Sequence, residues 1–190
     1  MSVISRIKAF FATRFDRFAS RLIASVDHRA PDFVVWADKE RGFVYLNRWW
    51  LLPRNPIFNL YLHQFLHSDD DRALHDHPWV NMSILLRGGY TERVPLRQDQ
   101  ANGFDYMPGH YVDIERTAGD FAVRVGHHRH RLILAPGTTC WTLFITGPVY
   151  RLFLWMRTRA AWGFYCRHGF VPWKEFTSAR DKGSVGRGCA

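Results

Sequence analysis

The sequence predicts an all-β barrel or sandwich preceded by one helix, and three observations carry that prediction. Apolar residues recur at steps of three and four only in the first segment, where Ile4, Ile7, Phe11, Phe15, Phe18, Leu22 and Val26 form a stripe. After His28-Arg-Ala-Pro31 the pattern changes to short apolar runs. Turn-forming clusters then separate those runs at short intervals, the signature of many short strands.

The helical stripe is flanked by Arg14, Arg17 and Arg21, so residues 1–30 are expected to form a basic amphipathic helix. Such a helix packs on its own protein or lies on an anionic membrane. Its Arg-rich character also resembles an organelle transit peptide, although Asp16 and the absence of an obvious cleavage region speak against one. The candidate strands are Phe33–Ala37, Phe43–Leu52, Ile57–Leu66, Pro78–Arg87, Tyr90–Val94, Tyr111–Glu115, Phe121–Val125, His128–Leu134, Trp141–Thr146 and Tyr150–Met156. Pro53-Arg-Asn-Pro56, Ser68-Asp-Asp-Asp71, Gly88-Gly89, Ala118-Gly-Asp120 and Ala135-Pro-Gly137 supply turns between them. This gives a barrel over 31–150. Residues 151–179, dense in aromatics around Trp162 and Trp173, are expected to cover hydrophobic surface on that barrel or to form a lid. The composition from Arg180 to 190 predicts a disordered tail.

At 190 residues with 47% hydrophobic content, the chain is long enough for one well-buried domain plus extensions and too short for two. No run of eighteen apolar residues occurs, and Arg6, Lys8, Arg14 and Arg17 interrupt the first apolar stretch. A cytoplasmic protein is expected, with a membrane-peripheral one as the alternative. Cys140, Cys166 and Cys189 are odd in number and lack the close spacing of a disulfide framework or a zinc ribbon. The net charge of +9 resides at the ends: residues 1–27 carry a net +3, residues 151–190 a net +6, and 28–150 sum to zero. A neutral centre is not the footprint of a nucleic-acid interface.

The chemistry is concentrated in His75-Asp-His77 and in Gly126-His-His-Arg-His130-Arg-Leu-Ile. Two histidines at i and i+2 on a strand point to one side of a sheet, and a third from a distant strand completes one face of a metal site. Neutral imidazoles are common ligands for first-row divalent metals, and three of them leave positions open for a substrate or dioxygen. His77, Trp79, Asn81 and Ser83 would share a strand face, which turns Asn81 inward beside the ligands. Asp76 would point the other way and fix a turn or a backbone group. His63, His67, His110, His127 and His128 read as ordinary histidines, with His128 a substitute ligand because it shares a strand face with His130.

The spacing of His75-x-His77, three residues, Asn81, six residues and Gly88 resembles the first motif of the cupin superfamily. Gly119, five residues, Val125-x-His127, two residues and His130 resembles the second. The resemblance covers roughly residues 42–150 and implies a double-stranded β-helix, or jelly-roll, barrel with the metal inside. Asn81 stands where the motif usually has Glu, Val125 where it has Pro, His127 where it has Gly, and Leu134 where it has Asn. Without the carboxylate, three neutral ligands leave a divalent ion its full charge, which favours anionic ligands.

Within that superfamily the text around His75-Asp-His77-Pro78 and His130-Arg-Leu132 resembles the thiol dioxygenases, the cysteine and cysteamine type. This resemblance implies Fe(II) held by His75, His77 and His130, with Arg48 clamping a substrate carboxylate. Asn81 would hydrogen-bond a ligand or metal-bound water. Mn, Ni and Zn suit imidazole as well. Where these enzymes carry a Ser-His-Tyr series the chain reads Trp141-Thr-Leu-Phe-Ile-Thr146, so a phenol would have to come from Tyr61 or Tyr90, and Cys140 lies nearby. The expected function is a non-haem iron dioxygenase acting on a small anionic substrate, with a thiol among the candidates. The alternatives are a metal- or ligand-binding barrel without turnover, and an accessory protein attached to a membrane or partner through residues 1–27. No nucleic-acid partner is expected, and a homodimer is left open.

Overall fold

The computed structural model describes residues 2–38, 42–68, 73–96, 110–126, 128–149, 163–166, 169–178 and 184–185. Helix α1, Val3–Ala24, begins at Ser2, whose hydroxyl accepts from the Ser5 amide at 3.2 Å, and ends where the Ser25 amide donates to the Arg21 carbonyl. The serine cap supplies one of the acceptors that the first turn lacks. The strands follow in the predicted order with small differences at their ends. They are β1 (Phe33–Asp38), β2 (Phe43–Trp50), β3 (Asn59–Phe65), β4 (Leu74–His75), β5 (Trp79–Arg87), β6 (Gly89–Pro95), β7 (Tyr111–Thr117), β8 (Phe121–Arg124), β9 (Arg131–Ile133) and β10 (Cys140–Val149). A C-terminal group comprises β11 (Gly163–Cys166), β12 (Gly169–Pro172), the single-turn α2 (Trp173–Phe176), β13 (Thr177–Ser178) and β14 (Ser184–Val185).

The protein is strand-dominated and its ladders are antiparallel. Six strands form one sheet in the order β1-β2-β3-β10-β5-β8, in which β10 returns late in the chain to lie between β3 and β5. Facing it are β7-β6-β9 and β12-β11-β4. A pair of backbone hydrogen bonds joins these two groups: the His75 amide donates to the His130 carbonyl at 2.9 Å, and the His130 amide to the His75 carbonyl at 3.1 Å.

The central strands of the large sheet are packed on both faces. Its outer face carries Trp49, Leu62, Leu86, Trp141 and Leu143, and these pack against Ala19, Ile23 and Val26 at the end of α1. The Trp49 and Trp141 rings stack there at 5.4 Å. Its inner face contributes Leu46, Phe65, Leu85 and Cys140, which meet Tyr90 and Leu132 from the opposite strands. Alternation along β5 sends Asn81, Ser83 and Leu85 inward and Ile84 and Leu86 outward.

Gly88 makes the turn from β5 to β6 with φ +75°, and a Cβ there would collide with the Thr139 carbonyl oxygen. Only glycine satisfies both conditions.

Several sequence expectations need correction. His77 lies beyond the end of β4, so the two ligand histidines do not sit on one continuous strand. β4, the β11–β12 hairpin and α2 had no counterpart among the predicted strands. Ser184–Val185, within the expected disordered tail, pairs with Thr177–Ser178. Cys140 is a free buried thiol, whereas Cys166 is disulfide-bonded, contrary to the absence of disulfides read from the spacing. The strand predicted at 150–156 lies outside the described residues.

Leu62 is fully buried between α1 and the large sheet, and Ile7 is half exposed. Leu62→Ala should therefore lower unfolding stability by about 2–5 kcal/mol, and Ile7→Ala should change it by less than about 0.5 kcal/mol. Urea denaturation of both variants checks the contrast.

Candidate metal centre

Three imidazoles converge in the space between the sheets. The backbone pair between His75 and His130 sets two of them side by side, and the His77 amide, donating to the Gly126 carbonyl at 3.1 Å, swings the third toward them. The ring centroids are 5.0 Å apart for His75 and His77, 4.7 Å for His75 and His130, and 5.4 Å for His77 and His130. One nitrogen from each ring falls within a group whose members all lie within 4.8 Å of one another.

The ring nitrogens are prepared to accept a cation. Glu92 Oε1 accepts from His130 Nδ1 at 3.1 Å, and that tautomer puts the remaining lone pair on Nε2. His130 Nε2 faces His77 Nε2 at 3.2 Å. Two lone pairs at this distance repel unless a proton or a metal ion lies between them. Two nitrogens each about 2.1 Å from one ion, at an angle near about 100°, are separated by about that distance. Burial is the largest influence on both rings and holds each well below the usual histidine range. His75, His130, Arg124 and Arg48 depress His77 further, and Arg124 does the same to His130. Both are therefore neutral at ordinary pH, the protonation state that ligates metal. The residues present fit a divalent cation.

Glu92 is the functional residue that sequence reasoning missed. It lies on β6, 1% exposed, and is clamped by the Arg124 guanidinium at 2.5 Å and by Arg116 at 3.0 Å. Burial would raise its pKa, but the hydrogen bond from His130 and the charge of Arg124 outweigh burial and hold the carboxyl well below the usual carboxylate range. Arg124 also donates to Ser83 Oγ at 3.0 Å and lies 3.4 Å from the Tyr90 hydroxyl. The carboxylate missing at position 81 is thus present behind a ligand. The signal available in the sequence was a charged residue at an inward position on each of two strands: Glu92 next but one to Tyr90, and Arg124 next but one to Ala122.

The other predicted residues fall on the inner face of the large sheet. Asn81 is 1% exposed, and among the described residues neither its amide oxygen nor its nitrogen has a hydrogen-bond partner. Thr142 Oγ1 and His63 Nδ1 are likewise buried without a partner there. Arg48 Nε donates to His63 Nε2 at 2.8 Å, and its guanidinium lies 5.1 Å from the Tyr61 ring centre and 5.7 Å from that of Phe33. No carboxylate pairs with Arg48 among the described residues, and burial lowers its pKa to about 10. His63, read as an ordinary histidine, is in fact enclosed at the site. Its ring stacks on Phe144 at 4.8 Å, and burial, followed by the charge of Arg48, depresses its pKa.

Phe144 also lies 6.2 Å from His77, so one phenyl ring stands between the Arg48–His63 pair and the imidazole cluster. Tyr61 stacks with His63 at 5.9 Å, its ring beneath the guanidinium. His128 lies 6.0 Å from His130, ring to ring, and is outside the converging group. His127 lies outside the described residues.

The C-terminal hairpin closes one side. Asp76 Oδ1 accepts from the Gly163 amide at 2.9 Å and Oδ2 from the Tyr165 hydroxyl at 3.0 Å, so Asp76 fixes the hairpin rather than reaching the ligand cluster. Phe164 rests 5.4 Å from His75 and is backed by Phe176. Trp79 stacks beside His77 at 6.1 Å.

Comparison with known proteins gives no match to any family model and none to any curated protein. Solved structures do match. The polyketide cyclase RemF from Streptomyces resistomycificus is 17% identical, with 64% of this chain and 74% of that chain covered and a TM-score of 0.43. An RmlC-like cupin from Shewanella frigidimarina is 18% identical over 58% and 82% of the two chains, with a TM-score of 0.39. A cupin superfamily protein from Desulfitobacterium hafniense is 12% identical over 54% and 77%, with a TM-score of 0.39. The site chemistry therefore rests on this chain's own residues.

Removing the carboxylate behind a metal-bound histidine typically weakens metal affinity about 10–100-fold. Glu92→Gln preserves shape and should produce a loss of that size, measured by chelator competition with Fe(II), Co(II) or Zn(II) at constant pH. An affinity equal to wild type would remove Glu92 from the site. The all-β architecture and the convergence of the three histidines are the two sequence-based expectations the structure carries through to this point.

Proposed function

We propose that this chain is a cupin-type metal enzyme, a non-haem Fe(II) dioxygenase acting on a small anionic substrate. The observation that carries the reading is the combination of three convergent imidazoles, those of His77 and His130 held well below the usual histidine range by burial, with a guanidinium that has no carboxylate partner among the described residues. A half-buried cation without an anion is costly unless something else supplies the charge. A substrate carboxylate or thiolate would supply it. Bound iron would contribute redox chemistry toward dioxygen, and no other part of the inner face offers an equivalent.

The remaining roles belong to the protein. Arg48 would hold the substrate's anionic group through the guanidinium nitrogens that do not engage His63. Asn81 would give its unpartnered amide to a polar group of the substrate or to a water. Thr142 and His63 Nδ1 offer further polar contacts, and Phe144, Tyr61 and Phe164 exclude bulk water. Glu92 and Arg124 would keep His130 in the tautomer that ligates.

One observation favours a second reading, a metal-bound barrel that holds a ligand without turning it over. The inner face of β10 presents Cys140, Thr142, Phe144 and Thr146, none of which is an acid or base near neutral pH; burial pushes the Cys140 thiol up to about 12. Protein purified without chelators should contain a stoichiometric first-row metal that His75→Ala or His130→Ala loses. Iron-loaded protein should consume oxygen with one member of a panel of thiols, thiol-acids and diketones, and silence with every member favours the binding reading. Arg48→Gln should weaken the interaction with a carboxylate-bearing substrate about 10–100-fold, the size of a charge-assisted hydrogen bond.

A further inference from the structure

The apolar stripe of α1 is longer than the surface it covers. Toward its C-terminal end Phe15, Ala19, Leu22 and Ile23 meet the outer face of the large sheet. Toward its N-terminus the same stripe continues through Phe11, Ile7 and Ile4, which are 65%, 50% and 67% exposed, and Phe18 beside it is 48% exposed. These residues succeed one another at steps of three and four, so they form one ridge. The Ser2 side chain caps the helix at this end.

The flanks of the ridge are cationic. Arg14 and Arg21 each lie one turn from Phe18 on one side, and Lys8 lies one turn from Ile4 and Phe11 on the other. Asp16 is the one acid in the helix. The outer face of the sheet carries exposed apolar residues of its own. Phe121 and Val123 on the edge strand β8 pair with Ile84 and Met82, so they point to the outer face on which α1 sits, and they are 65% and 61% exposed.

We propose that this outer face docks on an anionic membrane surface, with α1 lying in the plane of the interface. The ridge of Ile4, Ile7, Phe11 and Phe18 enters the headgroup boundary while Lys8, Arg14 and Arg21 stay at the lipid phosphates. A second copy of the chain fits this face poorly, because it would bring two helices of the same positive charge together. Among the described residues no helix is long and apolar enough to cross the bilayer, so the contact is peripheral.

The test is sedimentation of the full chain with vesicles of phosphatidylcholine alone and with added phosphatidylglycerol. Binding is expected only with the anionic lipid and should fall steeply with salt. Ile7→Ser with Phe11→Ser should abolish it with the circular dichroism spectrum unchanged, since both positions are exposed. Arg14→Gln should weaken it about fivefold, as one surface charge is worth about that factor. Equal binding to neutral vesicles, no binding to either, or binding unaffected by the double substitution overturns the proposal. A dimer in size-exclusion chromatography that the double substitution dissociates assigns the face to a second copy and overturns it as well.

Discussion

Two backbone hydrogen bonds between His75 and His130 are the constraint on which the rest depends. They join the β7-β6-β9 group to the β12-β11-β4 group. The same two residues carry two of the three convergent imidazoles. Assembly of the second layer and assembly of the ligand cluster are thus one event. The separation of those rings is set by main-chain geometry, which is stiffer than any pair of side-chain rotamers. Glu92 then fixes what the backbone cannot, the rotation and tautomer of the His130 ring.

The large sheet serves different purposes on its two faces. Outward it presents Trp49, Leu62, Leu86 and Trp141, an apolar surface stabilised by burial under α1. Inward it presents Arg48, His63, Asn81, Ser83 and Arg124 among aromatic rings, a surface whose polar groups are only partly satisfied. Leaving an amide and a hydroxyl buried without partners costs stability, and proteins retain such groups where a ligand or ordered water completes them. Both faces contribute hydrophobic core, and the unsatisfied polar groups are confined to the inner one.

Much of this was legible in the sequence, for physical reasons that differ by region. Period-two alternation and turn chemistry placed most of the strands from β1 to β10, whereas β4, two residues long, is too short to express a pattern. The cluster of His75, His77 and His130 was indicated by the resemblance of their surroundings to two family motifs, not by periodicity. Glu92 and His63 were not legible. Their meaning depends on which strand lies opposite, and pairing across 38 residues, as between Glu92 and His130, leaves no local trace. The β11–β12 hairpin was hidden for a similar reason: its aromatic residues give no alternation, and it exists through contacts with Leu74, His75 and Asp76. The strand expected to carry both histidines ends before His77, whose amide turns from the hairpin to the Gly126 carbonyl.

Asp76 has a mechanical consequence. It is covalently adjacent to His75 and to His77, and both of its carboxylate oxygens hold residues 163–165. A shift of the hairpin is therefore transmitted to the short segment between the two histidines. The position of Phe164 and the spacing of His75 and His77 are thus mechanically linked through a single residue.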